Sequence, residues 1–166
     1  MTQAGENSQV ALVQQGKAGN VTTIGQNGTD GSAVVRQDNS PRNKAQIDQA
    51  GAGSVSLKGL IEQGGSGGNN AADIDQTGST HSAIVRQRGS GGGSVAGIDQ
   101  STDDTDENEA TVEQVVDAGS GTDTVDIDQG GSANRAMVQQ ERSAGGTGSN
   151  ASVTQPGGRG RATIVQ

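Results

Sequence analysis

The chain has 166 residues, 29 of them Gly, with no Phe, Tyr or Trp, 28% hydrophobic residues and a net charge of -8, a profile that excludes an ordinary rounded core. It has no Cys, which rules out disulfides and thiolate metal sites, and 19 acidic against 11 basic residues with no ring to stack on a base argue against nucleic acid as a partner. No stretch approaches the roughly 20 apolar residues of a membrane helix, and residues 1–5 show no basic segment leading into an apolar run, so neither a membrane span nor an export signal is expected in this sequence.

Taken from the N-terminus, Met1, Thr2 and Gln3 resemble Val153, Thr154 and Gln155, so the chain is expected to begin inside a strand. Thirteen full copies of one unit follow, ending at Gln15, Gln26, Gln37, Gln49, Gln63, Gln76, Gln87, Gln100, Gln114, Gln129, Gln140, Gln155 and Gln166, with spacings of 11 to 15 residues. Two positions before each Gln stands a β-branched residue: Val13, Ile24, Val35, Ile47, Ile61, Ile74, Val85, Ile98, Val112, Ile127, Val138, Val153 and Ile164. Four before, Ala recurs from Ala11 to Ala162, with Thr22, Gly59 and Val125 as exceptions. Six before, Asn20, Asn43, Asn70, Asn108 and Asn134 recur, with Ser94 and Ser149 as near substitutes.

The unit Asn/Ser-x-Ala-x-Ile/Val-x-Gln keeps a strict period of two, which only a β-strand presents on one face. Gly-, Asn- and Asp-rich turns such as Asn27-Gly28-Thr29-Asp30 separate the copies. The expected fold is therefore all-β: a two-sided β-solenoid of stacked strand-turn-strand rungs with cross-β geometry, about 13 short strands, no helices, and one domain over residues 1–166.

Copies alternate in their outward residues. Odd copies carry Leu12, Val34, Leu60, Ile84, Thr111, Met137 and Thr163 three before the Gln, whereas even copies carry Thr23, Gln46, Asp73, Gly97, Asp126 and Ser152. The apolar row Leu12, Val34, Leu60, Ile84 and Met137 is expected to be a lateral interface between solenoids. One before the Gln, Arg36, Glu62, Arg86 and Glu113 should form a ladder of alternating sign, while Asp48, Asp75, Asp99 and Asp128 should form a column of like charge. At a rung spacing near 4.8 Å each neighbouring Asp pair repels by roughly 0.9 kcal/mol in bulk water before screening, which makes the column a candidate Ca²⁺ site as well as a solvated acidic face.

A solenoid ends in open strand edges unless a cap closes it, and residues 160–166 read as a complete strand unit. The expected polymerisation edges are Gln3, Val13 and Gln15 at one end and Ala162, Ile164 and Gln166 at the other. With thirteen full copies, the fragment around Gln3 is expected to complete a half rung beside residues 160–166 of the next subunit.

Copies such as Asn43-Lys44-Ala45-Gln46-Ile47-Asp48-Gln49-Ala50-Gly51 and Asn70-Ala71-Ala72-Asp73-Ile74-Asp75-Gln76-Thr77-Gly78 resemble the curlin repeat of curli fibre subunits, and the resemblance runs from residue 7 to residue 166. It implies a secreted, non-enzymatic subunit of an extracellular, amyloid-type surface fibre, acting in biofilm matrix and adhesion, with itself as the main partner and export and nucleation proteins as others. The chain departs from the family in lacking aromatic residues in its strands.

Motifs for other chemistry fail on inspection. His81, the only histidine, occupies the Asn position of its copy, and a cofactor is not expected. Asp103, Asp104, Asp106 and Glu107 suggest a Ca²⁺ loop, but Glu109 stands where an EF-hand needs Gly and Val115 where it needs Glu. Gly89-Ser90-Gly91-Gly92-Gly93 is followed by no helix signal and reads as a repeat turn rather than a nucleotide loop. The competing functions are a monomeric solenoid that binds Ca²⁺, glycan or ice, and a minor nucleating fibre component; the scattered Thr23, Thr111 and Thr163 are poor material for an ice-binding row.

Overall fold

A computed structural model describes residues 1–4, 8–15, 18–38, 41–54, 56–91, 93–102, 107–117 and 121–166, without the side chains of 13–15 and 52–54. Fourteen strands are present: β1 (Thr2–Ala4), β2 (Gln9–Gln15), β3 (Val21–Thr29), β4 (Ser32–Asp38), β5 (Lys44–Ser54), β6 (Ser56–Gly64) and β7 (Ala71–Gly78). They continue with β8 (Thr80–Gly89), β9 (Ser94–Thr102), β10 (Asn108–Val116), β11 (Asp123–Gly130), β12 (Arg135–Arg142), β13 (Asn150–Gln155) and β14 (Arg161–Val165). No helix occurs among the described residues, and none is long and apolar enough to cross a membrane.

The even copies, preceded by β1, form a first seven-stranded sheet in the order β1-β3-β5-β7-β9-β11-β13. The odd copies form a second seven-stranded sheet in the order β14-β12-β10-β8-β6-β4-β2. All pairings are parallel, and each strand pairs with the copy two units away in sequence, which is the connectivity of a two-sided β-solenoid. The fourteenth strand is the N-terminal fragment: Gln3 pairs with Gln26 of its own chain, so a three-residue first-sheet strand precedes the thirteen expected ones.

Register follows the repeat. Ile47, Ile74, Ile98, Ile127 and Val153 are successive partners in the first sheet, and Val35, Ile61, Val85, Val112, Val138 and Ile164 in the second. These rows and the Ala rows form one continuous buried cluster between the sheets. Small Ala side chains let the sheets approach, and β-branched side chains fill the gap with few rotamers to freeze, so a chain without aromatics still packs. Where Gly59 replaces Ala, an added Cβ would lie 3.0 Å from Ile47 Cγ2, so Ile47 would have to shift slightly to admit it. Left-handed turn residues include Asp30, Asn69 and Gly65, consistent with the turn chemistry read from composition.

The first copy departs from expectation. In β2, Val10, Leu12 and Gln14 pair with Ala33, Val35 and Gln37, whereas Val13 and Gln15 pair with Arg36 and Asp38. The strand is slipped by one residue, and Val10 packs against the core, while Ala11 lies exposed. Val13 and Gln15 are thus off the interior register, and Leu12 belongs to the inward row, 43% exposed at the sheet edge, rather than to the lateral row. The physical reason is local: Val10-Ala11-Leu12-Val13-Gln14-Gln15 offers apolar residues and an amide on both of its faces, so either register supplies an interior.

Candidate assembly interface

The interior polar rows are the feature that turns a stack of strands into a directed one. In the first sheet Gln26 Nε2 donates to Gln49 Oε1 at 2.8 Å, Gln49 to Gln76 at 2.8 Å, Gln76 to Gln100 at 2.9 Å, Gln100 to Gln129 at 2.8 Å and Gln129 to Gln155 at 2.9 Å. The second sheet repeats this from Gln37 through Gln63, Gln87, Gln114 and Gln140 to Gln166 at 2.8–3.0 Å. Each primary amide has a second N–H, and these donate across the core to backbone oxygens of the facing sheet, as Gln63 does to Lys44 at 2.8 Å and Gln76 to Lys58 at 3.1 Å. One side chain therefore ties its rung to the next and its sheet to the other.

These ladders have a direction, with Nε2 of the N-terminal rung always donating to Oε1 of the following rung. At the N-terminal end, the buried Gln26 Oε1 has no hydrogen-bond partner, because Gln3, its register partner, turns its amide to Ser8 O at 2.5 Å. At the other end Gln155 and Gln166 each place one N–H on a facing carbonyl, Arg135 O and Asn150 O, at 3.4 Å. Ala162 and Ile164 are only half-buried there, as befits an edge strand, and pack against the core cluster.

The Asn row works through the backbone. Asn20 Oδ1 accepts from Asn43 N at 3.0 Å, Asn43 Oδ1 from Asn70 N at 3.3 Å, and Asn70 Oδ1 from Ser94 N at 3.1 Å. In the second sheet Asn108 Oδ1 accepts from Asn134 N at 2.9 Å and Asn134 Oδ1 from Gly160 N at 2.8 Å. His81 lies in this column, paired with Leu57 and Asn108; its Nε2 lies 3.1 Å from Thr77 O, and burial pushes its imidazole down from the usual range.

Outside, the two faces differ. Asp48, Asp75, Asp99 and Asp128 are successive partners on the first sheet, beside Asp73 and Asp126 of the adjacent row. Partial burial, and then the neighbouring carboxylates, push Asp73, Asp75 and Asp99 up from the ordinary carboxylate range. Among the described residues no group of three or more His, Cys, Asp or Glu is arranged to hold a metal ion, and residues 103–106 of the acidic turn lie outside the described residues.

On the second sheet Glu62 receives Arg36 Nη1 at 3.0 Å, Arg86 Nε at 3.0 Å and Arg88 Nη2 at 3.5 Å. Burial tends to raise the Glu62 carboxyl, but hydrogen bonds and charge from Arg86 and Arg36 outweigh it and hold the group below its usual range. Val34, Leu60 and Ile84 stand side by side in the next row, which continues through Thr111 and Met137 to Thr163.

Several features were not anticipated from the repeat. Asp123, in the Asn position of its copy, is fully buried, with Oδ1 accepting from Ser149 N at 2.9 Å and Oδ2 3.4 Å from Arg142 Nε, whose Nη2 donates to Gly121 O at 2.8 Å. Val116 and Arg142 show that the inward period continues two residues past the Gln, a signal that the pattern up to Gln alone conceals. The first sheet also exposes an apolar row, Val21 and Val95 flanking Lys44 and Ala71.

No curated protein and no solved structure matches the chain. The model of the family described as curlin associated repeat matches residues 67–101 and 121–157. Those segments span β7 to β9 and β11 to β13, strands through which the directed Gln ladders run, so over these two stretches the chain is similar to the curlin associated repeat.

Proposed function

We propose that the protein is a structural subunit of an extracellular curli-like fibre that grows by adding copies head to tail at the edges of the two sheets, with a role in matrix and adhesion. The observation that carries this reading is the direction of the Gln ladders. The C-terminal edge offers the remaining amide N–H of Gln155 and Gln166, and the N-terminal edge sets Gln3 and Gln14 in the Gln columns ahead of Gln26 and Gln37. Head-to-tail addition matches donor to acceptor and keeps every strand parallel; head-to-head addition does neither. Edge strands β1, β2, β13 and β14 supply the backbone groups, with Gln3, Gln14, Ala162, Ile164 and Gln166 on the contacting rungs. Open parallel edges of this kind are templates for a further strand.

In such a stack β1 of the incoming copy follows β13, and its β2 follows β14, so the Gln3 fragment fills the first-sheet position across from residues 161–165. Secretion and dependence on export and nucleation partners are part of the same reading and come from the family resemblance. Negative-stain microscopy of purified protein, with and without Ca²⁺, is the test. Unbranched filaments formed equally in both conditions support the fibre, and persistent small monodisperse particles reject it in favour of a monomeric binder. Deleting residues 1–5 should slow elongation; unchanged assembly would remove β1 from the contact.

A further inference from the structure

The outer faces of the two sheets are unlike each other in charge. On the second sheet Val34, Leu60 and Ile84 form a half-buried apolar row along a shallow hollow, flanked on one side by Lys58 and on the other by guanidinium groups. Three of these, Arg36, Arg86 and Arg88, gather on the single carboxylate of Glu62, so positive charge is in excess beside the row. On the first sheet a shallow hollow lies over Lys44 and Ala71 between Val21 and Val95, 54% and 38% exposed, and its rim is Asp73 with the Asp48, Asp75 and Asp99 column beyond. Only Lys44 offsets these carboxylates on that part of the face, so negative charge is in excess.

Two first-sheet faces laid together would bring carboxylate columns against each other, and Asp73, Asp75 and Asp99 already resist ionisation within one face. Two second-sheet faces would oppose arginine clusters. A second-sheet face on a first-sheet face lays one apolar row along the other and matches cation to anion.

We propose that copies of this chain associate side by side through unlike faces, the Val34, Leu60 and Ile84 row of one solenoid laid against the Val21, Ala71 and Val95 row of another, with Arg36, Arg86 and Arg88 turned toward the Asp73 and Asp75 rows. The contact is heterologous, so it does not close into a pair and instead builds layers of filaments. It rests on the fibre reading only in that long stacks multiply the contact along their length.

Because the chain has no Cys, single-cysteine variants Leu60→Cys and Ala71→Cys report the geometry directly. Each is treated with a short bis-maleimide alone and in an equal mixture, in the sedimented and the soluble fractions, while filament length is measured separately by microscopy. Crosslinked dimers in the mixture but not in either variant alone support pairing of unlike faces. Dimers of Leu60→Cys alone at equal yield overturn it in favour of like-face pairing, and no dimers in any sample overturn lateral association altogether. Mixed dimers without filaments uphold the face pairing and reject axial growth, whereas filaments without mixed dimers do the reverse. Adding Asp73→Lys and Asp75→Lys to the Ala71→Cys chain should cut the mixed crosslink by about tenfold with filament length unchanged, and an unaltered yield would overturn the electrostatic match.

Discussion

The two sheets share one interior and have opposite exteriors. Inside, Gln63 of the second sheet and Gln76 of the first make the same set of bonds: one to the next Gln, one across to a lysine carbonyl, and one accepted from the preceding Gln. Outside, the Glu62 ladder gathers opposite charges while the Asp48 to Asp128 column stacks like ones. The difference teaches that register in this fold is enforced from within: an interior whose amides bond from rung to rung and across the core tolerates a repulsive column on one face.

The largest effect should come from breaking the interior amides. Gln76→Leu and Gln63→Leu each orphan buried ladder groups, at about 1–3 kcal/mol per unsatisfied group, and the two losses should be equal within error in denaturant melts. Unequal losses would show that the sheets do not share an interior. Next, Ile74→Ala and Ile61→Ala, both fully buried, should each cost about 2–5 kcal/mol, again alike on the two sides.

The exterior variants should differ in sign. Glu62→Gln removes the anion that three guanidinium groups share and should destabilise by about 1 kcal/mol or less, since the pairs are partly solvated. Asp75→Asn removes repulsion from Asp48 and Asp99 and should stabilise, by at most about 0.9 kcal/mol per neighbour before salt screening. Thermal melts at low and high salt measure both, with each effect shrinking as salt rises.

Titration gives the smallest and sharpest contrast. Asp73, Asp75 and Asp99 have raised folded pKa values, so their protonation favours the stack: this stabilisation is fully present below the unfolded carboxylate pKa and is lost as pH rises through the folded value. Glu62 is lowered, so its contribution is present above its unfolded pKa and is lost as pH falls through the folded one. In melts across the acidic range, Asp75→Asn should flatten the gain on acidification and Glu62→Gln should remove the loss at the acid end.

The positions of the Ile/Val, Ala, Asn and Gln rows, the sorting of copies into two sheets, the alternating ladder and the Asp column were all legible in the chain. The reason is geometric: when each strand stacks on a copy of itself, place in the unit becomes place in space, and a period of two becomes a face. Contacts that cross between units were not legible. The single-residue slip of β2 depends on which of Gln14 and Gln15 meets Gln37, and both are amides. The Asp123 and Arg142 pair joins the start of β11 to the end of β12, and the meeting of Arg88 with Glu62 depends on side-chain reach between adjacent rungs. Sequence alone therefore determined the rows of this solenoid, and tertiary structure decided its ends, its corners and which side chains reach across from one rung to the next, because those depend on edge pairing and turn path rather than on the repeat.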